Sequence, residues 1–160
     1  MIVSKFETVI SKISNTKLIK TKQNQMNSIF SSEIKVRPDD IDMNNHVHNA
    51  KYLDYVLAAR YEQMTNDYKM SMDEFIKKGF NWVVSAVHMD WKRALGLGDT
   101  AIVKTQMDSV KGAQCKVNFW IQNKKTNKLV SEGHFIYTMI SIKSGRPVRI
   151  TDDIIERYSL

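Results

Sequence analysis

The sequence predicts an α+β domain in which an antiparallel sheet covers one long helix, and three observations carry that prediction. Between Leu53 and Met64 the apolar residues Leu53, Val56, Leu57, Tyr61 and Met64 recur at three- and four-residue steps, which is one stripe of a helix. From Asn81 onward the period changes to two, the spacing of strands with one face buried. Short turn signals separate the alternating runs, so the strands follow the helical segment rather than alternating with it.

Residues 1–28, "MIVSKFETVISKISNTKLIKTKQNQMNS", stand apart from the rest. They hold five lysines against one acid and a weak helical pattern through Ile2, Phe6, Ile10 and Ile13. They read as an N-terminal basic extension, either a loosely docked helix or a basic, acid-poor leader, with Met26 as an alternative start. Residues 29–160 form the domain proper. "FSSEIKVR" is a short strand ended by Pro38. His48 or Asn49 caps the long helix. In "SMDEFIKKG" Ser71 and Glu74 make a capping box and Gly79 closes a second, short helix.

Four strands follow. "NWVVSAVHMDW" runs to a turn at Gly98 and Asp99, and "TAIVKTQMDSV" comes next. "QCKVNFWIQN" sets Cys115, Val117, Phe119 and Ile121 on one face. "KKTNK" turns the chain into "LVSEGHFIYTMISI", and "ITDDIIERYSL" ends it as a short helix capped at Thr151. The expected connectivity is mostly sequential hairpins. Curled around a helix with one apolar stripe, such a sheet leaves the helix N-terminus near its edge.

Bulk properties exclude several classes. At 160 residues the chain is one domain, and its single cysteine rules out an internal disulfide and fits a reducing compartment. Cys115, at an apolar alternating position, reads as core rather than nucleophile. No apolar run is long enough for a bilayer and no secretory signal is evident, so no membrane partner is expected and a cytoplasmic location is. Import into an organelle through the basic extension is the alternative. The net charge of +7 is spread along the chain without a basic arm, zinc-finger spacing or aromatic RNA-binding motif, so no nucleic-acid partner is expected. A diffuse positive field equally suits a small phosphorylated molecule.

The chemistry concentrates in "DDIDMNNHVHNAKYL", residues 39–53. A helix N-terminus offers unpaired N–H groups and partial positive charge to an anion or a developing oxyanion. Asp42 lies seven residues before Asn49, so a tight loop brings its carboxylate near the amides at 49–51. Asn44 and His46 alternate with Asp42 and point its way if the loop is extended. These are the parts of an acyl-transfer site: base or nucleophile, orienting polar groups and oxyanion donors. Asp39, Asp40, Asn44 and Asn45 are also ordinary turn residues. His46 and His48 with Asp42 make no complete metal set, and His88 and His134 lie in strand runs, so no metal is expected.

"IKVRPDDIDMNNHVHNAKYLDYVLAAR" resembles the signature of hotdog-fold thioesterases, roughly V-R-x-x-D-x-D-x-x-x-H-V-x-N-x-x-Y-L-x-x-x-x-x-A-R. It is similar to bacterial long-chain acyl-CoA and plant acyl-ACP thioesterases, and less so to 4-hydroxybenzoyl-CoA thioesterases. "WVVSAVHMDWKRALGLGDTAIVKT" and "SGRPVRI" extend the resemblance over about residues 30–155. It implies a hotdog fold, a curved antiparallel sheet wrapped around one long central helix, assembled as a homodimer or homotetramer with sites at subunit interfaces. Asp42 falls on the catalytic carboxylate, Asn44 and His46 on catalytic polar positions, and Asn49 on the helix start whose amides polarise the carbonyl. His48, Ala50 and Tyr52 fall beside the substrate. Position 48 holds His where many relatives have Asn, and no Glu matches the further carboxylate of some subfamilies.

Lys92 and Arg93, with Lys111, are the basic residues expected to hold the phosphates of coenzyme A. The reading is hydrolysis of acyl-CoA with no cofactor, coenzyme A being part of the substrate. Acyl-ACP hydrolysis is the near rival. A non-catalytic acyl-binding protein would be expected to lack the carboxylate, and a dehydratase would need a His–acid pair in another loop context.

Overall fold

The computed structural model describes residues 27–159. Apart from Asn27 and Ser28, the basic extension lies outside the described residues. The domain contains β1 (Ile29–Lys35), α1 (Asn49–Asn66), α2 (Met72–Lys77), β2 (Phe80–Trp91), β3 (Thr100–Lys111), β4 (Gln114–Asn123), β5 (Leu129–Ser141) and α3 (Asp152–Tyr158). A 3₁₀ turn at Pro38–Asp40 separates β1 from the loop before α1.

All five strands form one antiparallel, curved sheet in the order β1-β3-β4-β5-β2. Two hairpins, β3–β4 and β4–β5, match the expectation. The third does not: β2 pairs with β5, so residues 92–99 cross the end of the sheet instead of turning back into β3. Gly98, at φ +88°, and Asp99 do form a turn, with the Asp99 carboxylate accepting the Gly96 N–H at 2.9 Å. A local turn signal does not specify which strand the chain joins afterwards.

Helix α1 lies against the inner face of the sheet. Tyr52, Val56 and Ala59 pack with Val103, Phe119, Ile121 and Phe135, all buried. Each fully buried large apolar side chain of this kind contributes about 1.5–3 kcal/mol. Cys115, Val117, Phe119 and Ile121 share the buried face of β4 as expected. The burial of Cys115 pushes its thiol up to about 12, which makes it a core residue rather than a nucleophile.

The buried face of α1 is rotated from the predicted stripe. Of Leu53, Val56, Leu57, Tyr61 and Met64, only Val56 and Met64 are buried, and Tyr61 is 56% exposed. The core-facing positions include polar Arg60 and Gln63. Arg60 Nη1 donates to Thr105 Oγ1 at 3.3 Å, the Thr105 hydroxyl donates to Gln63 Oε1, and Gln63 Nε2 donates to Ser32 Oγ and the Val103 carbonyl, each at 3.4 Å. Hydrophobic periodicity cannot report a buried face built on such a relay.

Strand β2 is the exposed edge of the sheet. A register shift between Val84 and Ala86 reverses the alternation, so Val84 and Val87 both face the side where α1 lies. At Gly133, opposite Met89, a Cβ would stand 2.0 Å from the His88 carbonyl oxygen. Only glycine lets β5 approach β2 so closely.

Candidate active site

The loop before α1 is a small, self-bonded turn. An isolated bridge joins Ile41 to Val47, the Asp42 N–H donates to the His46 carbonyl at 2.8 Å, and the Asn45 N–H donates to the Asp42 carbonyl at 3.0 Å. Asn45 takes φ +59°, a left-handed conformation that asparagine tolerates better than most residues. Asp42, Asn44 and His46 therefore sit together at the loop tip. Asp42 Oδ1 accepts the Asn44 N–H at 2.8 Å and the His46 N–H at 3.4 Å. The Asn44 N–H, against some burial, holds the Asp42 carboxyl below the ordinary carboxylate range, so the group is ionised at neutral pH.

Two features that sequence reasoning did not single out hold this loop. The first is Asp40, read as a turn residue and found 1% exposed. Its carboxylate accepts the Arg37 N–H at 2.9 Å and the Tyr55 hydroxyl at 2.7 Å, with Lys51 Nζ at 3.7 Å. Burial pushes this carboxyl up, but the Tyr55 hydroxyl and Arg37 bring it below its ordinary value. The second is Leu95 in the crossover, whose carbonyl accepts the Val47 N–H at 2.8 Å and whose own N–H donates to the Tyr52 hydroxyl at 3.0 Å. The tyrosine hydroxyls that they meet, of Tyr55 and Tyr52, lie 15 and 43 residues away in the chain, so the sequence shows neither pairing.

At the helix start, His48 is the cap. Its Nδ1 accepts the Ala50 N–H at 3.2 Å, and its own N–H donates to the Asp40 carbonyl at 2.9 Å. The Lys51 N–H donates to the His48 carbonyl at 2.8 Å. Among the described residues the Asn49 N–H has no acceptor, so of the amides at 49–51 it is the one left open. Tyr52 is buried and its hydroxyl is engaged with Leu95, which places it in the scaffold of the loop.

Asn49 and Ala50, with His48, Leu53, Val87, His88, Met89 and Trp91, line an open cleft between α1 and the end of β2. Lys92 and Arg93 follow at that end of the strand. Lys92 Nζ pairs with Glu132 at 2.9 Å, while Arg93 donates to the Leu129 carbonyl at 2.8 Å and has no carboxylate partner among the described residues. Lys111 is at the far end of β3, about 36 Å along the strand from Thr100, and cannot join Lys92 and Arg93 in one phosphate site of a single chain. Among the described residues no metal-ligating group of three appears, and no helix is long and apolar enough to cross a membrane.

A hotdog sheet thus wraps a central helix, with an acidic loop feeding the helix N-terminus. A profile of the thioesterase-like superfamily matches residues 36–158, and the chain belongs to that superfamily; its reaction class is that of a thioesterase. It is 21% identical over 128 residues to the long-chain acyl-CoA thioesterase FadM of Escherichia coli (strain K12), covering 80% of this chain and 96% of that one. It is 26% identical over 133 residues to the chloroplastic acyl-acyl carrier protein thioesterase ATL3 of Arabidopsis thaliana, covering 83% of this chain and 69% of the relative. A crystal structure of DHNA-CoA thioesterase from Staphylococcus aureus shares the fold with a TM-score of 0.75 at 20% identity, covering 82% of this chain and 89% of that one.

Proposed function

We propose that the protein hydrolyses acyl-CoA thioesters to free acid and coenzyme A, with Asp42 as general base or nucleophile and the Asn49 amide as oxyanion donor. The observation that carries this is the ionised Asp42 carboxylate, fixed by two backbone N–H groups in the loop that leads into an open helix N-terminus. A thiolate leaves a tetrahedral intermediate readily, so the site needs an oriented carboxylate and an oxyanion donor more than a strong acid. Asn44 and His46 flank the carboxylate and orient it or the attacking water. No cofactor is required. Arg93, uncompensated where Lys92 is paired, is the stronger candidate for the coenzyme phosphates.

The test is a panel of acyl-CoA thioesters with free-thiol detection, at low and raised ionic strength, beside the same acyl groups on acyl carrier protein. Thiol release from acyl-CoA, with KM rising as salt screens Arg93, is the expected result. Cleavage of the carrier-protein substrates alone would move the reading to acyl-ACP. Release from neither would leave an acyl-binding protein.

We also propose a homo-oligomer, at least a dimer. Strand β2 presents twelve residues of unpaired edge with Val83, Val84, Val87 and Trp91 each at least 39% exposed. An edge of this length and apolarity is a template for pairing with a second copy. Sedimentation at micromolar concentration should give a species of at least twice 18.5 kDa, and after removal of residues 1–25 a species of at least twice the shortened chain's own mass. A single species at 18.5 kDa sinks the proposal.

A further inference from the structure

The seam between α1 and β2 continues beyond the cleft at the helix start. Leu53 and Val87 line the cleft, and Leu57 and Val84 line a partly open cavity of about 210 Å³ further along. Leu53 and Leu57 are one helical turn apart on the same face, so cleft and cavity follow one line with α1 and β2 running in opposite directions. The apolar stripe found by periodicity, Leu53, Leu57, Tyr61 and Met64, is the helical wall of this seam.

The cavity walls are apolar with one charged exception. Arg60 is 7% exposed and has no carboxylate partner among the described residues. Its guanidinium makes one hydrogen bond, to Thr105, and lies 5.1 Å over the Tyr68 ring. Four of its five N–H donors have no acceptor among the described residues. Two neighbouring wall groups, the Trp82 indole N–H and the Tyr137 hydroxyl, are buried without any acceptor among the described residues. Burial pushes the Tyr137 phenol up to about 12, with Arg60 pulling the other way, so it stays a donor at neutral pH. A buried cation without a counter-ion and two orphaned donors are each unfavourable, and they collect around one space.

We propose that this cavity binds a carboxylate carried on an aliphatic chain, with Arg60 as its counter-ion. Arg60 lies eleven residues beyond Asn49, about 16 Å along the helix. An extended alkyl chain built from bonds of about 1.5 Å advances roughly 1.3 Å per carbon, so about twelve carbons span that length. The carboxylate has two sources. It is either the far end of an ω-carboxyacyl-CoA whose thioester sits at Asn49, or the head of a free fatty acid lying in the seam. The first source rests on the acyl-CoA reading above and the second does not.

Two arms separate them. In the kinetic arm, dodecanoyl-CoA is compared with dodecanedioyl-CoA, its ω-carboxy counterpart, as a ratio of kcat/KM within one enzyme preparation, so that the folded fraction cancels. In the binding arm, dodecanoic acid and dodecanol are titrated calorimetrically into the full-length protein. Either a preference of at least tenfold for the ω-carboxyacyl substrate, or at least tenfold tighter binding of the acid than the alcohol, is expected. The effect should fall toward unity in Arg60→Met and by several-fold in Tyr137→Phe, which keeps the ring and removes only the donor. A positive kinetic arm assigns the carboxylate to the acyl chain, and a positive binding arm alone assigns it to the free acid. No preference in either arm overturns the proposal. Absence of all thioester hydrolysis strikes the acyl-CoA reading and the first source, while the binding arm still decides the rest.

Discussion

Asp42→Asn should lower kcat for acyl-CoA hydrolysis by about a hundred- to ten-thousand-fold, the range that positioned acid–base groups typically contribute. The amide has the shape of the carboxylate, and its oxygen can still accept the Asn44 and His46 N–H groups that hold Asp42 in place. What it lacks is negative charge and a lone pair able to attack or to take a proton. The loss therefore falls on the transition state, and KM should change little. Because the Asn44 N–H holds the carboxyl low, the wild-type activity should persist down to pH values below the ordinary carboxylate pKa of about 4 before protonation ends it. Asn44→Ala and His46→Ala should have smaller effects, since their backbone N–H groups remain. Hydrolysis by Asp42→Asn within about threefold of wild type would exclude this chemistry at the loop.

Much of this was legible along the chain, and what was not has a common physical cause. The capping box of α2 was visible as Ser71 and Glu74, and the Ser71 N–H does donate to the Glu74 carboxylate at 2.8 Å. The cap of α1 was narrowed to two residues, of which His48 proved the one. Hairpins β3–β4 and β4–β5 could be read because their turns and their register are local. The place of β2 could not, because its paired residues on β5 lie 40 to 61 residues on and no turn residue encodes that pairing. The bulge between Val84 and Ala86 is equally silent, since the residues there are ordinary strand formers. The buried hydrogen bonds of Tyr52 and Asp40 are hidden from the sequence for one reason. Their polar groups meet Leu95 and Tyr55, and sequence shows a polar residue without showing its partner. The α1 stripe was found by its period and assigned to the core, whereas most of it borders the seam.

The largest effect on stability should come from Asp40, which ties the loop bearing Asp42 to the helix. In Asp40→Asn one amide oxygen replaces two carboxylate oxygens, and an NH₂ group is turned toward donors. The Tyr55 hydroxyl and the Arg37 N–H both donate to Oδ2, so the amide oxygen there keeps both bonds but without the charge, and the NH₂ group meets the Arg37 guanidinium and Lys51 Nζ, which Oδ1 faces at 3.4 and 3.7 Å. Hydrogen bonds to a charged group contribute about 1.5–3 kcal/mol and neutral ones about 0.5–1.5, so weakening both at a site that is 1% exposed is expected to destabilise by about 2–3 kcal/mol. Asp39→Asn is the control: its carboxylate is 67% exposed and its contact with Arg37 contributes little at the surface. Tyr55→Phe added to Asp40→Asn should cost less than Tyr55→Phe alone, because the bond then removed runs to a neutral oxygen and not to a carboxylate. The sign of the pH dependence follows from the lowered folded-state pKa of Asp40. Its stabilisation is complete above the unfolded carboxylate value of about 3.9 and is lost as pH falls through the lower folded value. Denaturant unfolding should therefore show a wide gap between wild type and Asp40→Asn at pH 7 and a narrower one near pH 3. A gap that stays constant with pH would mean that Asp40 stabilises the loop by shape and not by charge.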